Sequence, residues 1–177
     1  MTLTTSINNQ FRWQHKFVMR TLDRIALASA LLCALNGCSR AKPIGLAVEG
    51  YNYTNRYVAS FTVTDESGNG AWGGNVELST PTAGGGKSTC CVMLDPNVSR
   101  PVRLRVDWTL DEVDDAMGHV IAPEMKRQAW VTVDPPFPSD PQNLEVHFYP
   151  DGHVEAVVTH WSSPPRILLP EGRRPTP

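Results

Sequence analysis

No apolar run in this 177-residue sequence approaches the ~20 residues that a bilayer-spanning helix needs; the longest clear one, Ile25 to Leu35, ends at Asn36. Long helical periodicity is also missing, which removes bundle and coiled-coil architectures from consideration. There is no Gly-x-Ser-x-Gly elbow, and so no sign of an α/β-hydrolase nucleophile. A basic excess is lacking too. Beyond residue 37 the chain carries twelve basic against seventeen acidic residues, a net charge of −5, which argues against a nucleic-acid binder. Cysteine is scarce, with four in all, and none is spaced as a Cys-x-x-Cys redox pair.

What is present begins with an export signal. Arg20 and Arg24 precede the short apolar core, which runs into Leu35-Asn36-Gly37-Cys38. That tetrapeptide resembles a bacterial lipobox: an apolar residue three before the cysteine, a small residue just before it, and a thiol placed to accept a diacylglyceryl group. The expectation is a signal peptide over 1–37, with either Met1 or Met19 as the start, lipidation at Cys38 and a linker over 38–43. Two or three acyl chains hold a protein to a membrane firmly, since each buried CH2 contributes ~0.8 kcal/mol. For a lipoprotein of a Gram-negative cell, the resemblance to a lipobox implies, with Ser39 after the cysteine in place of Asp, sorting to the periplasmic face of the outer membrane.

From Ile44 to Trp161 short alternating runs are separated by turn residues. The spacing predicts strands near residues 44–53, 57–65, 74–80, 88–94, 102–110, 127–133, 144–149 and 154–161. Val102, Leu104, Val106 and Trp108 alternate with Arg103, Arg105, Asp107 and Thr109, the pattern of a half-buried strand. Asp151-Gly152 predicts a two-residue hairpin turn that pairs Pro150 with His153 and sets His147 opposite Ala156. About eight short strands favour an all-β fold, an antiparallel β-sandwich of immunoglobulin-like or related type over residues 44–161. The acidic stretch Asp111 to Gly118 reads as a solvated loop or helical turn, because Val113 stands where a calcium loop needs an oxygen ligand. The Pro-rich tail 162–177 reads as extended and mobile.

The segment Gly84-Gly-Gly-Lys-Ser-Thr-Cys-Cys91 invites a nucleotide-loop reading, but Pro81 stands where that motif needs its first glycine and a β-prone run follows Lys87. A flexible glycine turn between two strands is the expectation, with no nucleotide and no cofactor. Cys90 and Cys91 are adjacent in what would be an oxidising compartment. Their α-carbons lie ~3.8 Å apart across a trans peptide, short of the usual disulfide window. Two arrangements stay open: one buried and one exposed thiol, or a vicinal ring that forms a rigid surface knob. A structural use is favoured over a redox one. His119, His147, His153 and His160 read as surface or rim residues with no metal site, and no nucleophile–base spacing indicates catalysis.

Three stretches together resemble a family of small bacterial lipoproteins known as domain of unknown function 3304: Val48 to Val58 with its three tyrosines, Gly73-Gly74-Asn75 followed by Gly84 to Val92, and Val146-His-Phe-Tyr-Pro-Asp-Gly-His-Val154. The resemblance implies an immunity protein that binds and neutralises a type VI secreted phospholipase effector. The alternative is a structural envelope lipoprotein without a toxin partner. Tyr51, Tyr53, Tyr57, Trp72 and Lys87 are the candidate contact residues, because aromatic and basic groups are favoured at interfaces. The competing role for the aromatics is to fill the core.

Overall fold

The computed structural model describes residues 42–177. Ten strands follow one another in that span: β1 (Ile44–Asn52), β2 (Val58–Asp65), β3 (Gly70–Val76), β4 (Thr89–Leu94), β5 (Val102–Leu110), β6 (Val113–Asp114), β7 (Val120–Ala122), β8 (Met125–Val133), β9 (Asn143–Phe148) and β10 (Val154–Thr159). They form two four-stranded sheets, ordered β10-β9-β1-β4 and β3-β2-β5-β8, and a small β6-β7 ribbon. The all-β sandwich expected from the alternation is what the chain adopts. Every pair is antiparallel except β1 with β9, which run parallel from Ala47↔Asn143 to Asn52↔Phe148.

The alternation in the sequence maps directly onto the two faces. Val102, Leu104, Val106, Trp108 and Leu110 of β5 turn toward the first sheet, where Leu46, Val48, Leu144, Val146 and Phe148 meet them. Phe61 packs edge-on against Phe148, with ring centroids 5.3 Å apart. Gly73 is present because Phe61 is: a Cβ there would lie 1.9 Å from the ring. β3 runs from Gly70 to Val76, shifted toward the N-terminus from the strand expected near residues 74–80.

Four expectations are corrected. The β9–β10 connection is a three-residue loop, not two: Tyr149 N–H donates to His153 O (3.1 Å), Gly152 N–H to Tyr149 O (3.0 Å), and Gly152 has φ +86°. Pro150, with its fixed φ, opens a turn whose last position needs the left-handed conformation, and the register moves so that His147 faces Glu155. The acidic stretch is not a helical turn but the β6–β7 ribbon, whose turn is fastened by Asp115 accepting from the N–H groups of Met117 and His119.

The glycine triplet is a clasp between sheets. Asn52 N–H donates to Gly84 O and Gly86 N–H to Gly50 O on the β1 side, while Glu77 N–H donates to Gly85 O on the β3 side. Gly84 lies under the Tyr51 ring, where a Cβ would come within 2.5 Å of it.

The tail over 162–177 is fastened across the outer face of the first sheet. Tyr51 Oη donates to Ser163 O (2.7 Å), Arg166 N–H donates to Tyr53 Oη (2.9 Å), Thr176 N–H to Asn55 O (2.8 Å), and Arg173 reaches the carbonyls of Thr54 and Ser79.

Candidate binding surface

The paired cysteines fall on β4, beside the central strand β1. Leu46 pairs with Val92 and Val48 with Thr89, so Cys90 and Cys91 together stand opposite the single residue Ala47. Two residues against one is a β-bulge, a device that bends a strand and re-aims its side chains. The two cysteines are joined as a disulfide across a cis peptide bond. This is the surface-ring arrangement among the alternatives open from sequence: Cys90 is exposed and Cys91 half-buried. Gly45 lies against it: a Cβ there would lie 3.3 Å from Cys91 Cβ, 3.4 Å from Cys91 Sγ and 3.7 Å from Met93 Sδ.

β3, the edge of the other sheet, packs beside β4 and completes the surface. Thr89 Oγ1 donates to Trp72 O at 2.7 Å, and the Trp72 ring lies over Gly74 next to Thr89. Trp72 is 60 % and Met93 56 % exposed, and Lys87 is exposed where the glycine clasp enters β4. Trp72, Lys87 and the Cys90–Cys91 ring, distant in the sequence, are thus gathered along one sheet-to-sheet seam. Met93 joins them unpredicted; its alternation with buried Val92 and Leu94 on β4 was the available signal.

The three tyrosines separate. Tyr57 is 40 % exposed and lines a shallow depression with Asn75, Glu77 and Asp111. Tyr51 and Tyr53 are 1 % exposed and are not free to touch a partner. They stack on His147, at 4.6 and 5.9 Å between centroids, beneath the C-terminal strap. Burial, reinforced by the carboxylates nearby, raises the Tyr51 phenol above its ordinary pKa, and burial likewise raises Tyr53.

His147, expected at the rim, is fully buried, because its outward position on β9 is roofed by the strap. Its Nδ1 lies 3.1 Å from Tyr53 Oη, which already accepts the Arg166 N–H. This assigns the Tyr53 proton to Nδ1 and the imidazole N–H to Nε2, 3.4 Å from Glu145 Oε2. Glu145 is equally buried and accepts from Ser163 N–H (2.6 Å) and Thr159 Oγ1 (3.1 Å) through its other oxygen. Burial alone would raise its pKa; the His147 imidazole and the Ser163 amide outweigh that and hold it below the ordinary value. At 3.4 Å the Nε2–Glu145 approach is longer than a well-formed N–H···O hydrogen bond, and neither facing atom has another partner. Of the other described histidines, His119 and His153 are exposed and His160 is half-buried, and no three potential ligands converge on a metal site among the described residues. Cys38 lies outside the described residues.

Fold and seam together define a β-sandwich that exposes apolar side chains along one sheet-to-sheet edge. A family model described as a protein of unknown function, DUF3304, matches residues 51–156, and the chain belongs to that family. The matched span runs from within β1 to within β10 and leaves the strap outside it. Neither the curated proteins nor the solved structures provide a match.

Proposed function

We propose that this DUF3304 protein is a lipid-anchored, periplasm-facing immunity protein that binds and neutralises a type VI secreted phospholipase effector. The observation that carries the reading is the seam. Trp72, Met93, Lys87 and the Cys90–Cys91 ring sit together in the open, on backbone held by glycines that tolerate no side chain. A stiff, partly apolar projection suits insertion into a cleft, since little conformational freedom is lost on binding. The lipobox ending in Cys38 supports the same reading, because a membrane tether concentrates an inhibitor where a lipase meets its substrate.

Co-expression in the periplasm with a lipase encoded beside it tests the proposal. The wild-type protein is expected to restore growth and to elute with the lipase as one complex. Met93→Glu or Lys87→Glu is expected to weaken the complex by about thirtyfold, the effect of losing one hot-spot contact, while leaving the melting temperature unchanged. Continued killing with no complex rejects the proposal, and unchanged binding by both variants removes the seam from it. Cys38→Ser is expected to move the protein from the membrane to the soluble fraction.

A further inference from the structure

The two outer faces of the sandwich are treated differently. The strap covers the first sheet, whereas the outer face of β3-β2-β5-β8 carries no such cover among the described residues. Register fixes what that face displays. Trp72 aligns with Thr62, Asp107 and Gln128 in one row, and Thr64, Arg105 and Trp130 make the next. Trp72 and Trp130, 60 % and 48 % exposed, therefore stand on the two opposite edge strands. Strand spacing puts them about 14 Å apart across the sheet and one two-residue step apart along it.

The outward residues between the two indoles, Thr62, Thr64, Arg105 and Asp107, are polar. Beyond the Trp72 row, on the side away from Trp130, lies a depression of about 440 Å³ lined by Thr62, Thr109, Lys126 and Gln128 together with Phe61 and Trp108. Protein interfaces put apolar, charge-poor ground at their centre, and this face does the reverse. Two aromatic platforms flanking a floor of hydroxyl, guanidinium and carboxylate groups suit a polyhydroxylated chain. The C–H faces of its rings stack on indole, and its hydroxyls bond to the floor.

Charge narrows the ligand further. Arg103, Arg105 and Lys126 point outward from this face against Asp107, with Glu66 at the rim 3.5 Å from Arg103, so cations prevail here although the whole chain is acidic. The Arg105–Asp107 pair is made through Nε at 2.8 Å, so the terminal nitrogens of that guanidinium are not used in it. Arg103 lies over Trp130, with its guanidinium carbon 4.9 Å from the ring centroid, placing a cation beside a stacking platform. Guanidinium forks match carboxylates bidentately.

We propose that the outer face of the β3-β2-β5-β8 sheet binds an anionic, carboxylated pyranose polymer. The inference does not rest on the effector reading; the two surfaces share only the corner at Trp72.

Affinity electrophoresis of the full-length protein in native gels tests it, using alginate as a polyuronate, dextran as a neutral glycan and polyglutamate as a sugar-free polyanion. Alginate is expected to retard the protein at concentrations at which dextran and polyglutamate do not. Trp130→Ala and Trp72→Ala are each expected to weaken alginate binding about fivefold, the magnitude of a lost aromatic stacking contact, with unchanged circular dichroism and melting temperature. Arg105→Gln, which leaves both indoles in place, is expected to weaken it and to lessen its dependence on salt. Equal retardation by polyglutamate would reduce the face to a simple anion attractor. Absence of retardation in alginate, or binding indifferent to all three substitutions, would also overturn the proposal.

Discussion

Gly85 has φ +97°, and a Cβ added to it would fall 2.0 Å from the Glu77 carbonyl oxygen. Gly68 has a comparable φ of +87° but open space around it. The pair separates two costs that glycine substitutions usually mix. Gly68→Ala is expected to lose ~1 kcal/mol, the cost of the left-handed conformation alone, whereas Gly85→Ala must also displace backbone and is expected to lose ~3 kcal/mol or more. Urea midpoints of the two variants check this. Glu145 and His147 make a second residue-scale case, since removing the imidazole leaves the Tyr53 hydroxyl proton and a Glu145 oxygen buried without a partner. His147→Ala is expected to cost ~3 kcal/mol by the same measurement. The pH dependence follows from the lowered Glu145 pKa: its contribution is present above the ordinary carboxylate value of 4.5 and is lost as pH falls through the depressed folded value. Stability measured between about pH 3 and 6 is expected to fall toward the acid end, and Glu145→Gln to flatten that slope.

Among the elements, the strap departs furthest from its sequence. Prolines and missing periodicity describe the local backbone of residues 162–177 well, but they say nothing of where its amides and carbonyls find partners. Those partners include Tyr51 on β1, Tyr53 just beyond its end and Glu145 on β9. Truncation after Trp161 uncovers that buried polar layer. It is expected to cost ~2 kcal/mol and lower the melting temperature by about 5–10 °C, as scanning calorimetry would show. β5 is the contrary case. Its period-two pattern is a direct imprint of one packed and one open face, so which of its side chains are buried could be read from residues alone. The seam was half legible: Trp72, Lys87 and the cysteines stood out by type, but their meeting depends on β3 packing beside β4, which no local pattern encodes. The tyrosines misled for the same reason, since a hydroxyl-bearing ring suits an interface as well as a polar layer under a strap.

At the scale of the whole molecule, charge and cover are both distributed unevenly. The chain is acidic overall, yet one broad face collects arginine, lysine and tryptophan, and the opposite face is closed by the chain's own end. Two non-overlapping substitutions make that division testable within one protein: Met93→Glu is expected to impair effector binding alone, and Trp130→Ala to impair polyuronate binding alone. The pairing of β1 with β9 carries a different consequence. The N-terminal strand of the domain is interior to its sheet, and one of its two neighbours arrives only near the end of the chain. A polypeptide still being made, or still threading a membrane pore, has no finished first sheet to lock it into shape. Such long-range closure slows folding, and for the exported protein proposed above the delay would keep the chain threadable until its last strands have come through.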